Sequence, residues 1–292
     1  MFDVRVARLE RLSPSFLRVT FAGEDLRVFA DNGYDQRIKL ILPLPEHGLA
    51  HLPTGPGWFP RWRGLDDGRR NPLRTYTARL VRQDACEVDI DVVLHPGGDG
   101  PVARWVKDVR PDDVAVLFGA DSRHPAPHGN VVFQPPEGTR RVLIAGDETA
   151  VPAICAILER LPAGFEGVAA MEVPCEEDFL DVRTAGGVRV EWLARDGRER
   201  GDLLLPAVRA AAERLLPPLP APDSFDDVDV DVEELWEVPE ERAVREPLYA
   251  WLAGEAAVIK ALRRHLVAER GMDRRAVAFM GYWRQGRAEH NE

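Results

Sequence analysis

Arg74-Thr75-Tyr76-Thr77 is the first group in the chain whose side chains can act together. In an extended strand Arg74 and Tyr76 share one face, by the two-residue period. A guanidinium, an aromatic ring and hydroxyls are what a flavin dinucleotide needs, for its pyrophosphate, its ring system and its polar edge. The same four residues equally suit an ordinary exposed strand. A second group runs from His95 to Trp105 (HPGGDGPVARW). Its glycines let a ligand approach the backbone, and amides at the start of a following helix attract anions. It is neither a GxGxxG nor a GxxxxGK[ST] motif, and a plain glycine turn explains it as well.

A third group, Gly146-Asp147-Glu148-Thr149-Ala150-Val151-Pro152, follows a short apolar strand and opens a helix. Ligands of open α/β sheets bind at such strand ends. The two acids also suit the helix dipole. Ala253-Gly254-Glu255-Ala256 is a similar turn between LYAWLAG and a later helix. The chain then reaches Gly281-Tyr282-Trp283-Arg284, where packing against the sheet accounts for the aromatics. GxSxG and HExxH are both absent and the seven histidines lack metal-ligand spacing, so neither hydrolysis nor a fixed metal is expected.

Two kinds of element must position these groups. Short β-rich runs (FLRVTFAG, RIKLILP, RTYTARLVR, CEVDIDVVLH, VAVLFGA) fill the first half, and Val88, Ile90, Val92 and Leu94 alternate as in a half-buried strand. An antiparallel barrel or sandwich is predicted. From about Arg140, apolar strands alternate with helices, as in RRVLIAGDETAVPAICAILERL and LLLPAVRAAAERL, which predicts an open parallel sheet. The predicted domains are 1–136 and 137–292. The long Gly/Pro/Arg-rich connection from Leu44 to Leu73 is expected to serve a ligand.

The formal charge of the 292 residues is −11, which argues against a nucleic-acid partner. That charge is local. Residues 221–246 carry a net −9, leaving −2 for the other 266, while 260–287 hold eight Lys/Arg against two acids. The acidic stretch, within an insertion near 217–246, reads as a solvated loop tethered by Leu235 and Trp236. Three scattered cysteines, Cys86, Cys155 and Cys175, fit a reducing compartment, and no apolar run is long enough for a membrane span. A cytoplasmic monomer is expected.

Taken in order, RTYT, VLHxxxxGPxxRW, AGDETAxPAI, YAWLAGEA and GYWRxG resemble the siderophore-interacting protein family of flavin-dependent ferric-siderophore reductases. The resemblance spans essentially the whole chain. It implies a ferredoxin-reductase-like fold, a two-domain β plus α/β architecture with an N-terminal antiparallel Greek-key barrel for FAD. The C-terminal part is then a Rossmann-like parallel sheet with helices for a nicotinamide nucleotide.

The resemblance also implies roles. Arg74, Thr75, Tyr76 and Thr77 would meet the flavin. His95, Gly100, Pro101, Val102 and Ala103 would meet its pyrophosphate, with Pro96 and Val102 departing from the usual residues. Asp147, Glu148, Thr149 and Ala150 would lie near flavin and nicotinamide, and Gly254 and Glu255 would face the nicotinamide from a turn in which Ala253 replaces a thiol. Tyr282 and Trp283 would cover the flavin or its adenine end. Lys39, with Arg37 on the same strand face and Arg284, would hold an anionic ferric siderophore; Arg123 and Arg287 are further candidates. NADH, NADPH or reduced ferredoxin would supply electrons. Arg195, in WLARDG after a predicted strand, could meet a 2′-phosphate, although many surface arginines occupy such a position. Two other readings stay open: a general flavin or ferredoxin oxidoreductase of this fold, and a non-enzymatic siderophore-binding protein.

Overall fold

The computed structural model describes residues 1–95, 100–124, 130–216, 235–239 and 248–286. It forms two compact units that part between Val131 and Val132, against a predicted boundary after residue 136.

In the first unit, β1 (Phe2–Arg11), β2 (Phe16–Ala22), β3 (Arg37–Ile41), β4 (Leu73–Thr77), β5 (Leu80–Arg82), β6 (Glu87–Val93) and β7 (Val114–Phe118) form one sheet. All its pairings are antiparallel, in the order β4-β3-β7-β1-β2-β6-β5, so that the last strand returns between the first and third. This is the predicted β architecture. One face encloses Phe2, Val4, Val19, Phe21, Ile38, Leu40, Val88, Ile90 and Leu117. Each such side chain withdrawn from water stabilises the fold by about 1.5–3 kcal/mol.

Strand β6 was expected to be buried on one face only, yet both are covered. Asp89 accepts from Arg82 at 2.6 and 2.7 Å and from Thr20 at 2.7 Å, and Asp91 from Arg18 at 2.7 and 2.8 Å. Arginines on the flanking strands therefore lie over the polar face and neutralise it.

The connection from Leu44 to Leu73, expected to serve a ligand, is anchored by two buried tryptophans and is otherwise half-buried or exposed as far as Arg70. Its short helix α1 (Trp58–Arg63) lays Trp58 and Trp62 on Ile41, Leu73 and Val116, the outer face of β3, β4 and β7. Trp62 is fully buried and donates to the Asn71 carbonyl at 3.0 Å, while the Asn71 amide donates to Leu42 and Gly48 carbonyls at 2.9 and 2.8 Å. Helix α2 (Pro101–Asp108) precedes β7.

The second unit has the sheet order β10-β9-β8-β12-β13-β11. Strands β8 (Arg141–Asp147), β9 (Glu166–Val173), β10 (Gly187–Ala194), β12 (Leu248–Glu255) and β13 (Val277–Trp283) run parallel. The two-residue edge strand β11 (Trp236–Glu237) is antiparallel to β13. Helices α4 (Leu204–Leu215) and α5 (Ala256–Arg263) share a core with Leu143, Ala145, Val168, Leu252 and Phe279, and α3 (Val151–Arg160) buries Val151 through Leu158. Leu235 is buried in that core and its carbonyl accepts from the Gly281 amide at 2.7 Å, which makes it the tether expected of it. Most of the acidic stretch lies outside the described residues.

Candidate functional site

Strands β3 and β4 pair so that Lys39 stands opposite Thr75, and Arg37 opposite Thr77. Directly opposed residues of antiparallel strands project on the same face. Lys39 Nζ donates to Thr75 Oγ1 at 2.7 Å, so the lysine is joined to the Arg-Thr-Tyr-Thr strand itself. Arg74 and Tyr76 occupy the opposite face; Tyr76 packs on the barrel core, and the half-buried Arg74 donates to its neighbour's carbonyl at 2.8 Å. Arg123 is diverted by a fork to Asp121 at 2.5 to 3.1 Å, which holds the Asp121 carboxyl well below its usual range.

Helix α2 begins at Gly100, which has no side chain to cap the first amides; a Cβ there would meet nothing within 4 Å. Pro101 occupies the first turn, where its missing N–H costs nothing. Val102 turns its side chain into the barrel core on which Trp105 and Tyr76 also pack, so its bulk is directed into that core. Ala103 follows in the same turn, and His95 is exposed after β6. Residues 96–99 of the expected pyrophosphate turn lie outside the described residues. A helix start without a side-chain cap among the described residues, on the same core as Tyr76, fits an anionic dinucleotide such as FAD.

In the α/β unit the parallel strands end in a cluster of acids. Asp147, at the end of β8, accepts from the Thr149 amide and hydroxyl at 2.9 and 2.5 Å through one oxygen. Its other oxygen accepts from the Glu255 amide at 2.7 Å and the Trp283 indole N–H at 2.8 Å. One carboxyl thereby ties together the ends of β8, β12 and β13. Burial, reinforced by the charge of Glu148, pushes Asp147 up to about 6 against the pull of its hydrogen bonds. Gly254 is required here: its φ is +149°, and a Cβ would lie 2.8 Å from the Asp147 carboxyl. Gly146 is equally confined, by the Ala150 Cβ and the Ala253 carbonyl.

Glu148 is fully buried and gripped by Arg195 at 2.7 and 3.0 Å and by Arg200 at 3.1 Å. Burial alone would raise its pKa; the arginines outweigh it and hold the carboxyl below the usual glutamate value. Arg195 is thus committed inward, 6% exposed, and is not the 2′-phosphate ligand expected of it. Glu172 receives the amides of Gly201, Leu203 and Leu204 at 2.9, 3.1 and 3.1 Å, which caps the start of α4. Glu255 caps α5 by accepting from Ala257 and Val258 at 2.7 and 3.1 Å. Arg200 lies over the Trp283 ring at 4.7 Å. Tyr282 packs between Trp236 and Trp251, with centroids 6.1 and 6.3 Å away. Ala150 is wholly buried, and Arg284, half-buried, follows β13. Arg287 lies outside the described residues.

Motif reading missed Glu172, Arg200 and the Asp147–Trp283 link. Glu172 did carry a signal: an acid inside the apolar run of β9 must find donors if it is buried.

The family model described as "Siderophore-interacting FAD-binding domain" matches residues 5–124, and that described as "Siderophore-interacting protein" matches residues 139–286. The chain belongs to the siderophore-interacting protein family. Among relatives of this siderophore-interacting protein, the ferric vibriobactin reductase of Vibrio cholerae is 29% identical over 97% of this chain and 89% of its own. The NADPH-dependent ferric-chelate reductase of Escherichia coli is 28% identical over 96% and 92%. The crystal structure of the siderophore-interacting protein SipS from Aeromonas hydrophila aligns with a TM-score of 0.70 at 28% identity, over 98% of this chain and 92% of that one.

Proposed function

We propose that this protein reduces the ferric iron of a siderophore with electrons from a nicotinamide nucleotide passed through FAD. The observation that carries this reading is the Lys39–Thr75 contact, which puts a cation for an anionic chelate on the strand whose other face presents Arg74 and Tyr76. Arg74 and the first turn of α2, from Gly100 to Ala103, hold the dinucleotide phosphates, and Tyr76 and Thr77 orient its ring system. Thr149, Gly254 and Glu255 border the nicotinamide, and Trp283 fixes the Asp147 end of that turn. Lys39 and Arg37 attract the chelate, an effect that weakens with salt. Bound FAD supplies the conversion of a hydride into the single electrons that Fe(III) takes. Fe(III) is a hard ion that siderophore oxygens hold tightly, and Fe(II) is held less tightly, so reduction frees the metal.

NADPH is the proposed donor, as the name of the E. coli relative suggests; NADH and reduced ferredoxin are the comparisons. The protein is proposed to work as a monomer in the reducing cytoplasm, in keeping with Cys86, Cys155 and Cys175 as free thiols. Among the described residues, no helix is long and apolar enough to cross a membrane.

The test is anaerobic. The FAD-loaded protein is titrated with NADPH until the flavin bleaches, a ferric siderophore is added, and Fe(II) is trapped with a chromogenic chelator. Return of the flavin spectrum with Fe(II) appearing supports the reading; a flavin that stays bleached overturns it. Lys39→Ala separates siderophore reduction from general diaphorase activity, because only the former predicts a fall in the ratio of chelate to dye reduction.

A further inference from the structure

The carboxyl that joins three strand ends meets unequal partners on its two oxygens. Asp147 Oδ2 faces the Glu255 amide and the Trp283 indole N–H, at 2.7 and 2.8 Å, and neither group can accept a proton. Oδ1 faces the Thr149 amide at 2.9 Å and the Thr149 hydroxyl at 2.5 Å. Of these four donors only the hydroxyl can reverse and accept. Asp147 is buried, so a partner lost there is not replaced by bulk water. Charged groups surround it on every packed element. Glu148 is its neighbour in the turn, Glu172 is its register partner on β9, Glu255 ends β12, and Arg195 and Arg200 bring the opposing charge. Four carboxyls share two guanidiniums there, so a proton on one of the acids relieves the excess.

We infer that Thr149 is a positioning residue whose hydroxyl keeps the Gly254–Glu255 turn clasped whether or not Asp147 carries a proton. A proton on Oδ2 would point at two N–H groups and break the ties to β12 and β13. A proton on Oδ1 is instead donated to Thr149 Oγ1, and Oδ2 goes on accepting from Glu255 and Trp283. Thr149 is half-buried, so its own O–H, released from the carboxyl, turns toward water. The turn has a second tie, because Glu255 Oε1 accepts from the Gln285 amide at 3.2 Å, just past β13. What this does for turnover rests on the proposed place of the nicotinamide beside Gly254 and Glu255. The nucleotide then meets the same turn geometry on both sides of the Asp147 titration, and its KM does not rise in acid.

The test reads the two N–H groups directly. Hydrogen exchange at the Glu255 amide and the Trp283 indole is followed by NMR in the FAD-loaded full-length protein, from about pH 7 to about pH 5, and corrected for the intrinsic pH dependence of exchange. The native protein should keep both groups protected throughout. Thr149→Val, nearly isosteric but without an acceptor, should lose about tenfold of that protection at the acid end, the effect of one buried hydrogen bond, whereas Thr149→Ser should retain it. A thermal melt at neutral pH checks that each variant is folded. Protection lost in the native protein, protection kept in Thr149→Val, or protection lost equally in Thr149→Ser would each overturn the proposal. Stopped-flow reduction of the flavin reads the consequence: the KM for NADPH in Thr149→Val should rise by about tenfold on going to acid, and the native KM should not. The exchange measurement needs no nucleotide. An unmoved KM beside lost protection would therefore overturn the placement of the nicotinamide and uphold the clasp.

Discussion

Replacing Arg195 by methionine should expose how strongly the α/β unit depends on its buried charges. Methionine preserves much of the side-chain volume, so the change removes a charge rather than opening a large cavity. Glu148 would keep the half-exposed Arg200, at 3.1 Å, and a backbone hydrogen bond, and would lose the two Arg195 contacts at 2.7 and 3.0 Å. Glu172 would lose only a 3.4 Å approach and keep its three backbone donors. The loss is therefore concentrated on Glu148, which is 0% exposed. Removing one partner of a buried pair costs about 3–5 kcal/mol, which corresponds to a melting temperature lower by about 10 °C for a unit of this size. Urea unfolding followed by circular dichroism at several pH values is the assay. In the native protein Glu148 sits below its ordinary pKa of 4.5, so its contribution is present above that pH and is lost as pH falls through the native value. The variant's deficit should therefore be largest near neutrality and shrink in acid, as pH falls below the ordinary glutamate range and Glu148 accepts a proton. Adding Glu148→Gln to Arg195→Met should recover part of the stability. A deficit under about 1 kcal/mol at pH 7, or one that does not vary with pH, would refute the reasoning.

Other outcomes follow from the same unit. Asp147 titrates at about 6 while bonded to Trp283, so Trp283 emission should change with a midpoint near pH 6, and Asp147→Asn should abolish that transition. Its raised pKa favours the native state at low pH, so its contribution to stability falls as pH rises through 6, opposite in sign to that of Glu148. Gly254→Ala places a Cβ against the Asp147 carboxyl in a left-handed conformation; it should lower thermal stability and slow dye reduction by the nicotinamide, read by calorimetry and diaphorase assay. Leu235→Ala should destabilise the protein by about 2–5 kcal/mol in denaturant titration, because Leu235 is core although it lies in an acidic stretch of sequence.

The parallel sheet was legible because its strands announce themselves: VLIAG, FEGVAAMEV and LYAWLAG are apolar on both faces, as a sheet covered by helices demands. β1 was harder. Phe2, Val4 and Val6 do alternate, but arginines and acids between them gave the segment the look of a charged terminus. The long connection was legible only in part. Its glycines, prolines and arginines suggested a loop, but composition did not reveal that Trp58 and Trp62 anchor it by burying against β3, β4 and β7. In the α/β site, spacing identified Asp147 and Gly254 as turn residues. It did not reveal that Asp147 would accept an amide from a residue 108 positions later and an indole N–H from one 136 positions later. Arg195 was misread because an arginine after a strand looks the same whether it reaches outward to a phosphate or inward to Glu148. Its direction depends on acids contributed by β9 and the turn after β8, which only the assembled sheet brings near.

The edge strand β11 has a consequence for how copies of this protein meet in a crowded solution. An open parallel sheet ends in a row of unpaired amides and carbonyls, and a strand such as β13, with Val277, Phe279 and Met280, is a template on which another chain can zip. Trp236 and Glu237 occupy that row at Met280 and Phe279, running in the opposite direction, and Glu237 is held down by Arg263 at 2.8 Å and Arg274 at 2.9 Å. Two residues within the acidic stretch thus act as a stopper for the sheet, and chains lacking them should associate edge to edge.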